Sequence, residues 1–238
     1  MRSRVFSIMV FGFAVLAGTG HGQDKGKGDL RKTLDKAVET SAALKSYSFQ
    51  IDERPAQGSG GMFQGKYEKG KPIFFVADRI EVFKKGEVLV YKDQGKWERS
   101  RTGRLSDPLR VLGAVAKARG ARLPHDELPV LAKGLTRVKF VEAEPSSTVY
   151  AGVYQGELKE ADARRLVPKS LEQVAQKGQA KIWVGADGQV HKYSLTIPVR
   201  GRSGNAEING KVTRSVLLSE RGTAKINLPE EAKKALDK

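Results

Sequence analysis

Side chains able to do acid–base, nucleophilic or metal chemistry are sparse in this sequence. Its 238 residues hold three histidines, His21, His125 and His191, and no cysteine. Without cysteine there are no disulfides, thiolate metal sites, cysteine nucleophile or cysteine lipidation. Once His21 is assigned to a leader segment, the remaining pair offers no metal-ligand spacing. His191 lies in a predicted strand and reads as a structural or surface residue, and His125 reads as a helix-capping one. No G-x-S-x-G elbow, P-loop or post-strand G-x-G-x-x-G occurs. Acids are plentiful, but no pair is expected in an apolar run where burial would tune its proton affinity. Glu160 and Asp162 read as helix-surface residues. The expectation is no enzyme, no metal and no cofactor, and the weight shifts to binding.

Charge narrows the partners. Formal net charge is +16, which favours anionic surfaces such as lipid headgroups or an envelope polymer. Lys and Arg are spread along the chain rather than clustered, so solubility alone also accounts for the excess, and no specific nucleic-acid partner is implied. Arg2 and Arg4 precede an uncharged apolar run, Val5 to Ala17, and small residues from Gly18 to Gly22 lead to charge at Asp24. That is the pattern of a secretory signal. The run is short for a membrane span, and an uncleaved anchor is the alternative. Residues 1–22 are read as a signal peptide and 23–238 as a single domain, soluble after cleavage and periplasmic or secreted.

The elements that must position any site alternate between two periods. Asp29 to Leu44 is predicted as an amphipathic helix. From Tyr47 the period is two: strands are predicted over Tyr47–Glu53, Met62–Tyr67, Pro72–Val76, Arg79–Lys84, Glu87–Tyr91 and Lys96–Arg99. In the hairpin around Lys85-Gly86, Val82 is placed opposite Leu89 and Ile80 opposite Tyr91. Asp107-Pro108 starts a helix that ends at Gly120, and Pro124 to Gly134 holds another. Strands resume at Thr136–Glu142 and Ser147–Tyr154, followed by a helical stretch over Glu157–Gly178, interrupted at Pro168. Ala180 to Pro198 reads as a hairpin bent at Asp187-Gly188 in a type I′ turn. Its register sets Gln189 opposite Ala186, His191 opposite Val184, Tyr193 opposite Ile182 and Leu195 opposite Ala180, with Trp183 on the polar face beside Lys192. A loop at Arg200–Gly204, a turn at Asn209-Gly210, a strand over Lys211–Ser219, a short strand over Thr223–Leu228 and a small helix after Pro229 complete the chain.

Together these elements predict an α+β fold, a mostly antiparallel sheet with helices on one side, which can curve and leave an apolar concavity. Phe49, Ile51, Phe63, Ile80, Val82 and Leu89 are expected on the covered face. Tyr91, Ile182, Val184, Tyr193, Leu195 and Leu217 are expected there too. They are the candidate ligand-binding residues, and close packing makes a closed core the competing reading.

Three segments carry a family resemblance: KIWVGADGQVHKYSL around Trp183, VYAGVYQGELKEADARRLVP from Val149 to Pro168, and TRSVLLSERGTAKINLPEEA from Thr213 to Ala232. With LKSYSF at Leu44–Phe49, their order and spacing resemble the LolA-like lipoprotein-carrier superfamily, especially the mycobacterial LprG/LppX-type lipoproteins. The resemblance implies a single strongly curved antiparallel sheet, a half-barrel, with helices plugging or covering its concave face and an apolar concavity that holds acyl chains of lipids or lipoproteins, and it implies no catalytic residues. The chain departs from LprG/LppX proteins in lacking the lipobox cysteine, and from the family pattern at Arg221 beside Gly222. The expected function is an exported monomeric carrier or binding protein for lipid or acylated cargo in the cell envelope. The alternative is a non-enzymatic envelope scaffold that has a filled core and binds an anionic polymer. An envelope hydrolase assembled from scattered loop residues is a third reading, against which stands the lack of a nucleophile–base pair.

Overall fold

The structure, a computed structural model, describes residues 26–56, 60–100, 109–141, 150–203 and 206–237. The predicted leader, the Asp107-Pro108 cap and residues 147–149 of a predicted strand lie outside the described residues. Alternating burial builds the first meander: β1 (Ser46–Arg54), β2 (Gly61–Glu68), β3 (Ile73–Ala77), β4 (Ile80–Lys85), β5 (Val88–Asp93) and β6 (Lys96–Arg99). A second meander runs through β7 (Leu135–Val141), β8 (Tyr150–Leu158), β9 (Gly178–Gly185), β10 (Val190–Ser203) and β11 (Ala206–Ser219). Pairing of β1 with β11 fuses the two into one antiparallel sheet ordered β6-β5-β4-β3-β2-β1-β11-β10-β9-β8-β7. The sheet is curved and does not close, so the fold is an α+β half-barrel.

Helix α1 (Gly26–Ala42) precedes the sheet, and α2 (Leu109–Gly120) and α3 (Pro124–Gly134) connect its two halves. A chain leaving one end of a bent sheet for the other must cross its hollow, which lays these helices over the inner face. There α2 packs on β3, β4 and β5, and α3 packs on α1, β8 and α4 (Glu160–Leu166). Leu34, Val38, Val111, Val115, Leu128 and Leu131 meet Phe49, Ile51, Val82 and Tyr193 in the main core. Helix α5 (Glu230–Asp237) packs on the opposite face, where Ala232, Ala235 and Leu236 cover Phe83 and Val90. Sheet covered on both sides needs apolar residues in both phases. Hence Phe74 joins the α5 cluster while Phe75 joins the main core, in a run that does not alternate.

Several local expectations are corrected. The turn after β9 is not type I′: only Gly188 takes a left-handed φ, at 70°, and the Gly188 N–H bonds the Gly185 carbonyl. The loop is therefore three residues long, and Val190, not His191, faces Val184. A β-bulge at His191 absorbs the extra residue, after which Tyr193 pairs with Ile182 and Leu195 with Ala180. Insertion at the turn and insertion in the strand cancel, so the distal register is the expected one. Trp183 is half-buried opposite Lys192, whose Nζ sits 4.8 Å from the ring centroid.

In the earlier hairpin, Val82 faces Tyr91 and Lys84 faces Leu89, a slip of two residues from the expected pairing. A slip of two preserves every side chain's face, so the core assignment survives it. Residues 200–203 are not a loop and Asn209-Gly210 is not a turn: Arg200 pairs with Asn209 and Val199 with Gly210 inside one long hairpin. Strand β11 consequently starts at Ala206, not Lys211. Residues 223–228 form no strand; the Ile226 N–H donates to the Glu68 carboxylate at 2.8 Å instead of a ladder carbonyl. The expected helix over 157–178 is α4 followed by a 3₁₀ turn, Lys169–Val174, because Glu157 and Leu158 belong to β8 and Pro168 ends α4.

Candidate functional site

The candidate lining residues mostly close on one another. Phe49, Ile51, Val82, Leu89, Tyr91, Ile182, Val184, Tyr193 and Leu195 are buried under the helices, and Ile80 is half-buried against the same core. Leu217 is the exception: it is 42 % exposed, on the outer face opposite Lys192. Val216 and Leu218 point inward in its place. An apolar run over 216–218 supplies both phases, and only packing selects one. Of the twelve, Phe63 is the one that lines the groove beside the core.

The groove has a volume of about 610 Å³ and lies at one end of the inner face. Glu53 at the end of β1 and Gly61 and Phe63 at the start of β2 form one wall. The last turn of α2, with Ala116, Lys117 and Gly120, forms another, continued by Ala121 and Arg122. Leu166, Val167, Pro168 and Lys169, where α4 gives way to the 3₁₀ turn, form the third. Phe63, Leu166 and Val167 are buried at its floor, whereas Ala116 and Pro168 are exposed at its rim. A Cβ at position 61 would lie 2.8 Å from the Lys117 ammonium, so that lysine's flexible end reaches over the start of β2.

A buried polar network adjoins the groove. Arg214 projects inward from β11, its side chain 7 % exposed, and lines the groove. Its Nε donates to Glu127 Oε2 at 3.1 Å, one terminal nitrogen to Glu53 at 2.8 Å, and the other to the Arg122 carbonyl at 2.9 Å. The Tyr193 hydroxyl donates to the same Glu127 oxygen at 2.5 Å. Among the described residues Glu127 Oε1 has no hydrogen-bond partner. Burial pushes the Glu127 carboxyl above its ordinary range, with Arg214 and Tyr193 pulling it partway back. Burial likewise raises the Tyr193 hydroxyl, reinforced by the Glu127 charge. Arg122 is fixed differently: its guanidinium donates to the main-chain carbonyls of Arg165 and Val167, tying the α2–α3 connection to the end of α4.

The two described histidines have separate structural partners. His125, at the start of α3, shares a 2.5 Å hydrogen bond with the Tyr47 hydroxyl and lies with its ring centroid 4.3 Å from that of Tyr67. Burial lowers its proton affinity, opposed by Asp126. His191 donates to Asp187 at 3.0 Å, and Arg221 bonds the other oxygen of that carboxylate at 2.9 Å. Among the described residues no cluster of three or more His, Cys, Asp or Glu is placed to hold a metal ion. No helix among them is long and apolar enough to cross a membrane.

Glu127 and Arg214 were not anticipated from the sequence, although each leaves a signal there. Glu127 lies three residues after Pro124 and four before Leu131, within the buried stripe of α3. Arg214 shares its phase with Val212 and Val216, the inward phase of β11. Two opposite charges, each on the apolar phase of its own element, are the mark of a buried pair.

No protein-family model and no curated protein sequence matches this chain. Among solved structures it is similar to LprF from Mycobacterium bovis, with a TM-score of 0.55 at 9 % identity over 85 % of this chain and 97 % of that one. It is also similar to a LolA superfamily protein from Nitrosomonas europaea, with a TM-score of 0.31 at 13 % identity over 87 % of this chain and 97 % of that one. The likeness to LprF shows a shared fold, in keeping with the half-barrel that the sequence resemblance implies.

Proposed function

We propose that the protein is an exported, monomeric, non-enzymatic carrier that holds lipid or acylated cargo in the cell envelope. One observation carries the reading: a solvent-reaching groove of about 610 Å³ lies between the sheet and its covering helices, with Phe63, Leu166 and Val167 at its floor. That volume falls within the range of sites for one small ligand. Each methylene moved from water onto such a floor contributes about 0.8 kcal/mol. The fold shared with LprF supports the reading at the level of architecture. Acyl chains seat in this end groove rather than along the closed row from Phe49 to Leu195.

The test is native mass spectrometry with lipid extraction of protein purified from its own envelope fraction. Co-purifying acyl species, lost in the groove-filling variant Ala121→Trp, support the carrier. Protein that is free of lipid and takes up no acyl chain on incubation sinks it. The closed packing beneath the remaining sheet favours a second reading, a scaffold that meets an anionic envelope polymer through its basic surface. Binding of that kind weakens steeply with salt, whereas acyl burial does not.

A further inference from the structure

We propose that the groove takes a single-tailed amphiphile with an anionic head, a carboxylate or phosphate monoester. The tail lies on the Phe63–Leu166–Val167 floor, and Arg122 and Lys169 hold the head. This rests on the carrier reading and narrows it.

Size and closure set the tail count. The groove is about 610 Å³, and the inner face beyond it is filled by buried side chains such as Phe49 and Ile51. A first tail finds apolar walls. A second has no continuation to enter and would stay in water.

Charge sets the head. Four cations and one carboxylate line the groove. Two of the cations are already answered: Lys117 pairs with Asp78 at 2.8 Å, and Arg214 pairs with Glu53 and Glu127. Arg122 and Lys169 have no carboxylate within ion-pair distance among the described residues. Both acceptors of Arg122 are neutral carbonyls, which hold the guanidinium in place and leave three of its five N–H donors without a described partner. A guanidinium positioned in advance beside an apolar floor is suited to a carboxylate or phosphate, because charge-assisted bonds are the strong ones. A neutral head leaves both positive charges unanswered.

Competition against a fluorescent fatty acid tests this on the purified full chain, using laurate, dodecyl phosphate, dodecanol, inorganic phosphate and vesicles of dilauroyl phosphatidylglycerol. Laurate and dodecyl phosphate are expected to bind at least about tenfold tighter than dodecanol, the worth of one charge-assisted hydrogen bond. Phosphate alone and the vesicles should not compete. Lys169→Glu should lower the laurate-to-dodecanol ratio by roughly three- to fivefold, the effect of a rim charge. Lys181→Glu, an equal charge change outside the groove, should leave the ratio unchanged. Equal binding of laurate and dodecanol overturns the anionic head and leaves the carrier standing. Tighter capture of the two-tailed lipid overturns the single tail, and competition by phosphate alone replaces the amphiphile with a simple ion. Failure of every acyl probe removes the carrier reading along with this one.

Discussion

Glu127 Oε2 lies 3.1 Å from Arg214 Nε in a place nearly without water: the glutamate side chain is fully buried and the arginine 7 % exposed. The residues are 87 apart in sequence, one on α3 and one on β11, so the pair ties a covering helix to the middle of the sheet. Burying both charges carries a large desolvation cost, offset only while both are present and bonded.

Removing one partner should therefore cost more than removing both. Arg214→Met leaves the Glu127 carboxylate buried without its guanidinium and is expected to destabilise the fold by about 3–5 kcal/mol. Adding Glu127→Leu should recover most of that loss, because it removes the stranded charge as well. Urea unfolding of the two single variants and the double variant reads the coupling directly; strictly additive losses would refute it.

Two groups on α3 make stability depend on pH in opposite senses. Glu127 is held above its ordinary value of 4.5, so the folded state binds more protons there than the unfolded one. Its contribution is complete below 4.5 and is lost as pH rises through the raised value. His125 is held below its ordinary value of 6.5, so its contribution is complete above 6.5 and is lost as pH falls through the lowered value. Denaturation midpoints measured between about pH 4 and 8 should show wild type losing ground to Glu127→Gln as pH rises. Against His125→Gln it should lose ground as pH falls.

Gly65 lies under an aromatic ring in the centre of β2. A Cβ at this position would collide with the Phe74 carbonyl and the end of the Phe49 ring. Gly65→Ala is expected to cost about 1–3 kcal/mol, the range for overpacking a core. Phe49→Leu should relieve only part of this, since one obstacle is backbone and cannot rotate away. Thermal unfolding of the single and double variants checks both statements.

Adjacent leucines on β11 give a test of register. Leu217 is 42 % exposed and Leu218 only 3 %. Leu217→Ser should change stability by no more than about 0.5 kcal/mol. Leu218→Ala should lose about 2–5 kcal/mol. A larger loss at Leu217 than at Leu218 in urea unfolding would mean that the strand lies in the other phase.

Where sequence and structure part, local and non-local information can be told apart. The β1–β6 meander and the β9–β10 hairpin were readable because period-two burial is written in consecutive residues. Even the mistaken turn at Asp187-Gly188 left Tyr193 opposite Ile182, because the bulge at His191 restores the phase. The length of the 190–219 hairpin was not readable. Asn209-Gly210 has the composition of a turn, and only the ladder partners Arg200 and Val199 keep it extended. Leu217 was misplaced for a related reason: inward-pointing Arg214 disguised the apolar phase until Glu127 was brought to meet it.

From the sequence alone came the class of the protein: an antiparallel sheet under helices, a strongly basic balance, and no residue grouping that announces catalysis. These follow from composition and short-range periodicity, which each segment carries by itself. The tertiary structure decided which apolar residues stay beside open space. The groove draws on residues from Glu53 to Arg214, and its volume is whatever the ends of α2 and α4 fail to fill. Packing at a junction of distant segments is a property of the whole chain, and no single stretch encodes it.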